Sequence, residues 1–175
     1  RDGIPDVAVA AGPLRSDPGD PQIGSWEREW GLVVTAGNPA DVEGLGSLVD
    51  EQLRFVNRSL DSGLRTTLDR ALDELAEDRN VSRPELTESI DGFDLTVRAH
   101  ESPARRVAAG EADAGLGLRS TAEELELGFV SLGWQPVRVF VQDERREKPG
   151  VEALESVLED RHPDLLSSRA GYRED

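Results

Sequence analysis

Arg54-Phe-Val-Asn57-Arg58-Ser59-Leu-Asp-Ser62-Gly63-Leu-Arg65-Thr-Thr-Leu68 is the stretch on which the fold turns. A short apolar strand, Leu53 to Val56, runs into a loop of hydroxyl, amide and Gly residues. That loop opens an amphipathic helix. Leu64, Leu68, Leu72 and Leu75 recur at helical spacing, with Asp69, Asp73, Glu74 and Glu77 on the other faces. The first N–H groups of a helix lack an internal partner and carry the positive end of its dipole, so the segment at Ser62 and Gly63 offers an anion site. Arg58 and Arg65 flank it. The competing reading is a helix capped by the Ser62 side chain, with both arginines solvated.

Composition makes those cations notable. The 175 residues include 36 Asp and Glu against 20 Lys and Arg, a formal net charge of -16. Such acidity disfavours nucleic-acid binding by this segment, which would need basic patches. It equally disfavours an anionic membrane surface. No apolar run approaches the ~20 residues of a membrane helix. With no Cys in the sequence, disulfides, thiolate zinc sites and thiol catalysis are excluded. An acidic chain of this kind points to a salt-loving source, with stability expected to rise from ~0.1 M to molar KCl as screening relieves self-repulsion. The start, Arg1-Asp-Gly-Ile-Pro5, is not a signal peptide, so the expected location is cytoplasmic and the chain is expected to belong to a longer polypeptide.

Strands and helices alternate along the chain. Strands are expected at Val7 to Ala11, Trp30 to Thr35, Leu53 to Val56, Phe93 to Val97, Ala112 to Leu118, Leu127 to Leu132 and Val137 to Val141. Helices are expected at Val42 to Val49, Gly63 to Glu77, Ser102 to Ala109, from Ser120, and around Val151 to Leu158. Gly12 to Gly24 reads as a loop, Asn80 to Pro84 as a break, and Arg161 to Asp175 as a final helical stretch with a frayed end. This alternation implies α/β architecture with mainly parallel strands.

An ordered series of motifs carries a resemblance: Gly31-Leu-Val-Val-Thr-Ala-Gly-Asn-Pro39, Arg54 to Arg58, Ser62-Gly63 with Arg65, Val107 to Gly117, and Phe129-Val-Ser-Leu-Gly-Trp134. Over roughly residues 30 to 141 the chain resembles the periplasmic-binding-protein-like (type II) domain attached to molybdopterin-biosynthesis proteins and molybdate-related regulators. The resemblance implies two α/β lobes joined by crossover strands, with ligand in the cleft between them. Residues 1–40 would form part of lobe 1 and residues 41–118 lobe 2. Residues 119–175 would return to lobe 1 and add C-terminal helices, and the sheet would divide between the halves. Lobe 1 lacks the family's usual opening strand, loop and helix, so it is expected to be incomplete at its N-terminus. Asp61-Ser-Gly-Leu-Arg65 stands where the family has Gly-Ser-Gly-Thr-Arg, and Ala99-His-Glu-Ser102 where it has Thr-His-x-Ala.

The resemblance implies a binding module for molybdate, tungstate or a related small molecule of molybdenum-cofactor metabolism. Its ligand-binding candidates are Asn57, Arg58, Ser59, Ser62, Gly63, Arg65, His100 and Ser102. His100 and Ser102 also have structural readings, a hydrogen-bonded imidazole and a helix cap. Asp113 reads as a structural carboxylate bonded to backbone or an Arg, and His162 as solvated. No nucleophile-base-acid constellation and no metal-ligand spacing is present, so no catalytic activity is expected in this segment. The alternatives are the effector-sensing domain of a DNA-binding regulator and an accessory domain of a molybdenum-inserting enzyme.

Overall fold

The computed structural model describes residues 5–14, 16 and 18–175. Arg1 to Ile4 and positions 15 and 17 of the expected loop lie outside the described residues. The strands are β1 (Val7–Ala11), β2 (Gln22–Val34), β3 (Phe55–Arg58), β4 (Thr96–Val97), β5 (Ala114–Leu118), β6 (Gly128–Val141) and β7 (Tyr172–Glu174). The α-helices are α1 (Leu45–Asp50), α2 (Gly63–Arg79), α3 (Arg83–Glu88), α4 (Ser102–Ala108), α5 (Arg119–Glu124), α6 (Pro149–Asp160) and α7 (His162–Ser167). No helix is long and apolar enough to cross a membrane among the described residues.

The strands form one sheet in the order β1-β6-β2-β5-β3-β4, and β7 pairs with the outer part of β2. The expected division of the sheet is absent, because β2 and β6 run 13 and 14 residues and carry the ladder across both halves. The expectation of mainly parallel strands is also corrected. Only β5, β3 and β4 are parallel, while β1/β6, β6/β2, β2/β5 and β2/β7 are antiparallel. Helical crossovers enforce parallel pairing around β3, whereas β2 and β6 meet as long antiparallel neighbours.

The two strands expected at Leu127–Leu132 and Val137–Val141 are one. A bulge opposite Trp30 and Gly31, with Gly133 at φ 133°, absorbs the apparent break. Pro136 fits because its carbonyl faces the Gly12 N–H just past the end of β1, so its missing donor costs no ladder bond. β2 begins at Gln22, shortening the expected loop. The expected strand Phe93–Val97 keeps only Thr96–Val97. Before it, Gly92 (φ 80°) turns the chain, and a Cβ there would lie 2.1 Å from the Phe55 carbonyl oxygen. The tail ends in strand β7 rather than helix.

Burial follows the leucine pattern. Leu64, Leu68 and Leu72 of α2 are at most 1% exposed and pack with Leu32, Val34, Phe55, Leu116 and Leu118. Each such side chain contributes about 1.5–3 kcal/mol relative to exposure. Asn80 ends α2 in the left-handed region (φ 53°) and Ser82 with Glu85 forms a capping box that starts α3. That Ser-x-x-Glu signature was available in the sequence.

Candidate functional site

β3 delivers Arg58 to the carboxyl end of the parallel strands, and α2 starts five residues later. Arg58 is 8% exposed. Its Nη1 donates to His100 Nδ1 (3.1 Å) and to the His100 carbonyl (3.2 Å), and its Nη2 donates to the Arg98 carbonyl (3.0 Å). Its buried Nε has no hydrogen-bond partner. Burial holds the guanidinium pKa below its usual range. Arginine has no acceptor, so neutral His100 takes the bond on Nδ1 and carries its proton on Nε2. Asn57, fully buried, sets this geometry. Its Oδ1 accepts from the Arg58 N–H (2.8 Å) and its Nδ2 donates to the Phe93 carbonyl (3.1 Å).

Ser62 sits at the N-cap of α2 with extended backbone, but its side chain makes no capping bond. Its hydroxyl is thus not spent on the helix, contrary to the simple capping reading. Gly63 is required by close approach. A Cβ there would lie 2.2 Å from the Ala11 carbonyl oxygen. The amides of the first turn have no intrahelical acceptor. Ser59 links the loop to β4 through its N–H to Val97 (3.2 Å), and its carbonyl accepts from the Ser62 N–H (2.9 Å).

The eight candidates separate. Arg58 and His100 are in contact, and Ser59, Ser62 and Gly63 form the adjoining loop. Asn57 is used inside the fold. Arg65 is also committed: its Nε donates to Asp69 Oδ1 (2.9 Å) and its guanidinium lies 4.4 Å from the Phe93 ring centroid. Ser102 occupies the first turn of α4, where Glu101 holds the N-cap position. Asp113 receives the backbone N–H and the guanidinium of Arg54, as expected of a structural carboxylate. His162 is not simply solvated, because it packs edge-on against Trp26 at 4.9 Å and its Nε2 is buried.

Three residues escaped the sequence reading. Arg28 of β2 donates from Nε to Gln135 Oε1 (2.7 Å). Gln135 of β6, fully buried, donates to the Gly63 carbonyl (3.0 Å) and Thr67 Oγ1 (2.5 Å). Tyr172 of β7 pairs with Arg28 in the β2/β7 ladder. Burial lowers the Arg28 pKa, and Arg58 adds to the lowering while Tyr172 opposes it. The available signal was Trp26-x-Arg28-x-Trp30, an Arg at the parity of two Trp in a strand.

His100 keeps part of its surface open, yet desolvation on its inner side and the charges of Arg58, Arg28 and Arg169 lower its pKa, with Glu101 opposing. The unfolded chain, with an ordinary His pKa of about 6.5, therefore binds more protons than the folded chain just below that pH. Stability contributed by neutral His100 should be present above pH about 6.5 and be lost as pH falls toward the folded value. Melting temperatures measured between pH of about 7.5 and 5.5 should decline less steeply in His100→Gln than in the parent. Parallel slopes would show that His100 does not titrate this way.

A groove of about 740 Å³ lies elsewhere along α2, lined by Thr67, Arg70, Trp30 and Trp134. A smaller one, about 520 Å³, lies between α7 and Tyr172. The convergence of donors, rather than concavity, marks the Arg58 region as the candidate site.

A mixed sheet spanned by two long antiparallel strands is the architecture of the type II periplasmic-binding-protein-like fold. The chain belongs to the PBP superfamily, whose domain model matches residues 20–159. Protein YvgK of Bacillus subtilis (strain 168) is 31% identical over 105 residues, covering 60% of this chain and 32% of YvgK, so the chain spans well under two thirds of that curated relative. Among solved structures, the fold resembles L-phospholactate-bound PEB3 (TM-score 0.63, 15% identity, 86% of this chain and 67% of that one). It also resembles the sulfate-binding protein SubI of Mycobacterium tuberculosis H37Rv (0.64, 16%, 85% and 57%). The regulatory domain of MetR, a LysR-family regulator from N. meningitidis, is a further neighbour (0.59, 12%, 97% and 74%).

Proposed function

We propose that this domain binds a small oxyanion at the ends of β3 and α2. The observation that carries the reading is Arg58, a buried guanidinium with an unpartnered Nε, set beside helix amides that lack internal acceptors. Charge-assisted hydrogen bonds suit a tetrahedral oxyanion, and resemblance to the molybdopterin-linked family favours molybdate or tungstate. In this reading residues 41–118 act as one lobe, residues 1–40 and 119–175 serve the other, and β2 and β6 cross between them. The setting is the cytoplasm of a salt-loving cell, within a longer polypeptide concerned with molybdenum-cofactor metabolism. Structural similarity to SubI, named for sulfate binding, supports an oxyanion.

Similarity to the MetR regulatory domain supports the alternative that the ligand is an effector sensed by a DNA-binding regulator. A helix-turn-helix in the complete gene product would favour it, and a pterin-biosynthesis domain would favour the cofactor role. Calorimetric titration of the complete protein with molybdate, tungstate, sulfate and phosphate tests the oxyanion reading. Saturable heat with molybdate or tungstate, exceeding that with phosphate, is the expected result. No heat with any of the four rejects it.

A further inference from the structure

We infer that Arg28, on the crossover strand β2, is a second anion-binding guanidinium of this site, so that the site selects a doubly charged oxyanion over a singly charged one. The inference rests on the oxyanion reading above.

Six of the described arginines, Arg28, Arg58, Arg70, Arg98, Arg138 and Arg161, have no carboxylate partner, and two of them, Arg28 and Arg58, stand at the proposed site. Arg54, Arg65, Arg79, Arg83, Arg105 and Arg119 all pair with Asp or Glu. Among the described residues neither Arg28 nor Arg58 forms an ion pair with a carboxylate. Both are nonetheless withdrawn from solvent. A partly buried cation without a counter-charge is costly, and two that repel each other are costlier. Arg28 is close enough to disfavour the charge on His100, as Arg58 also does. An anion bridging the two guanidiniums would remove both penalties.

The placement of Arg28 is built rather than incidental. Gln135 bonds Arg28 on one side and the Gly63 carbonyl and Thr67 hydroxyl on the other. The same fully buried amide therefore ties the Arg28 side chain to the first turn of α2, whose amides face the proposed anion. Tyr172 stands opposite Arg28 in the β2/β7 ladder and flanks it. Among the described residues no carboxylate pairs with Arg28, although the adjacent Glu29 is available in sequence. Glu29 points to the other face and pairs with Arg119. The resulting arrangement has two guanidiniums, a helix N-terminus and a neutral imidazole, and it calls for two negative charges.

Tungstate and perrhenate are tetrahedral oxyanions of similar size that differ by one charge, and both serve as probes for calorimetry on the complete protein. The parent should prefer tungstate by about tenfold or more, the scale of one charged hydrogen bond. Arg28→Gln should reduce tungstate affinity by about tenfold while changing perrhenate affinity much less, so that the preference collapses. Arg28→Lys retains the charge and should keep most of the preference, which preserves the test should Arg28→Gln fold poorly. If the parent binds tungstate and either folded variant leaves the tungstate-to-perrhenate ratio behaving contrary to these expectations, Arg28 is a structural prop and this inference falls alone. If the parent binds neither anion, the oxyanion reading falls and takes this inference with it.

Discussion

Arg58→Ala is expected to weaken oxyanion binding by about 10- to 150-fold, the cost of about 1.5–3 kcal/mol for losing a charged hydrogen-bond partner. The effect is large because Arg58 is already oriented before any ligand arrives. Three bonds, to His100 Nδ1 and to the carbonyls of His100 and Arg98, hold Nη1 and Nη2, leaving the buried Nε without a partner. The ligand therefore gains a donor without paying to immobilise a flexible side chain. Ser62→Ala should cost less, about 0.5–1.5 kcal/mol, since it removes one neutral hydroxyl. Arg65→Ala provides the contrast. Its Nε is bound to Asp69 and its guanidinium lies over Phe93, so its loss should lower the melting temperature and leave affinity nearly unchanged. Calorimetry and thermal melts on the three variants check this ordering. Equal affinity in Arg58→Ala and parent, with the fold intact, would show that Arg58 only braces the loop around His100.

Gly63→Ala should be the most damaging methyl group that can be added near the site. The new Cβ would lie 2.2 Å from the Ala11 carbonyl oxygen and 3.1 Å from its carbon, so backbone must move. Overpacking of this kind costs about 1–3 kcal/mol, and a clash with backbone belongs at the upper end. For a chain of this size each kcal/mol lowers the melting temperature by about 2–4 °C. Moving either β1 or the first turn of α2 also disturbs the Gln135 bond to the Gly63 carbonyl, so affinity should fall with stability. Gly150→Ala is the matched control. It lies in the first turn of α6 with nothing within 4 Å of the added methyl, and should be neutral or mildly stabilising. An unchanged melting temperature in Gly63→Ala would contradict the close approach of β1 to α2.

What could be read in the sequence was local. Leu64, Leu68 and Leu72 recur at the helical period, and a helix with one apolar stripe has one way to face a sheet. α2 and its burial followed from that alone, whereas the strand before it was expected at Leu53 to Val56 and runs Phe55–Arg58, which puts Asn57 and Arg58 on the strand itself rather than in the loop. The motif series was local too, and the superfamily match over residues 20–159 agrees with the fold it implied.

What the tertiary structure decided was pairing over long separations. Arg28 meets Gln135 across 107 residues, and Gln135 meets Thr67 across 68. Those contacts depend on the antiparallel register of β2 with β6, including the bulge at Gly133, and a shift of one residue would send Arg28 to the opposite face. β7 is equally a product of register, because three residues gain strand character only by bonding Trp26 to Arg28. Local periodicity determines which face a residue occupies within its own element. Only the ladder between distant strands determines what stands opposite that face, and the polar half of this site is made of such opposites.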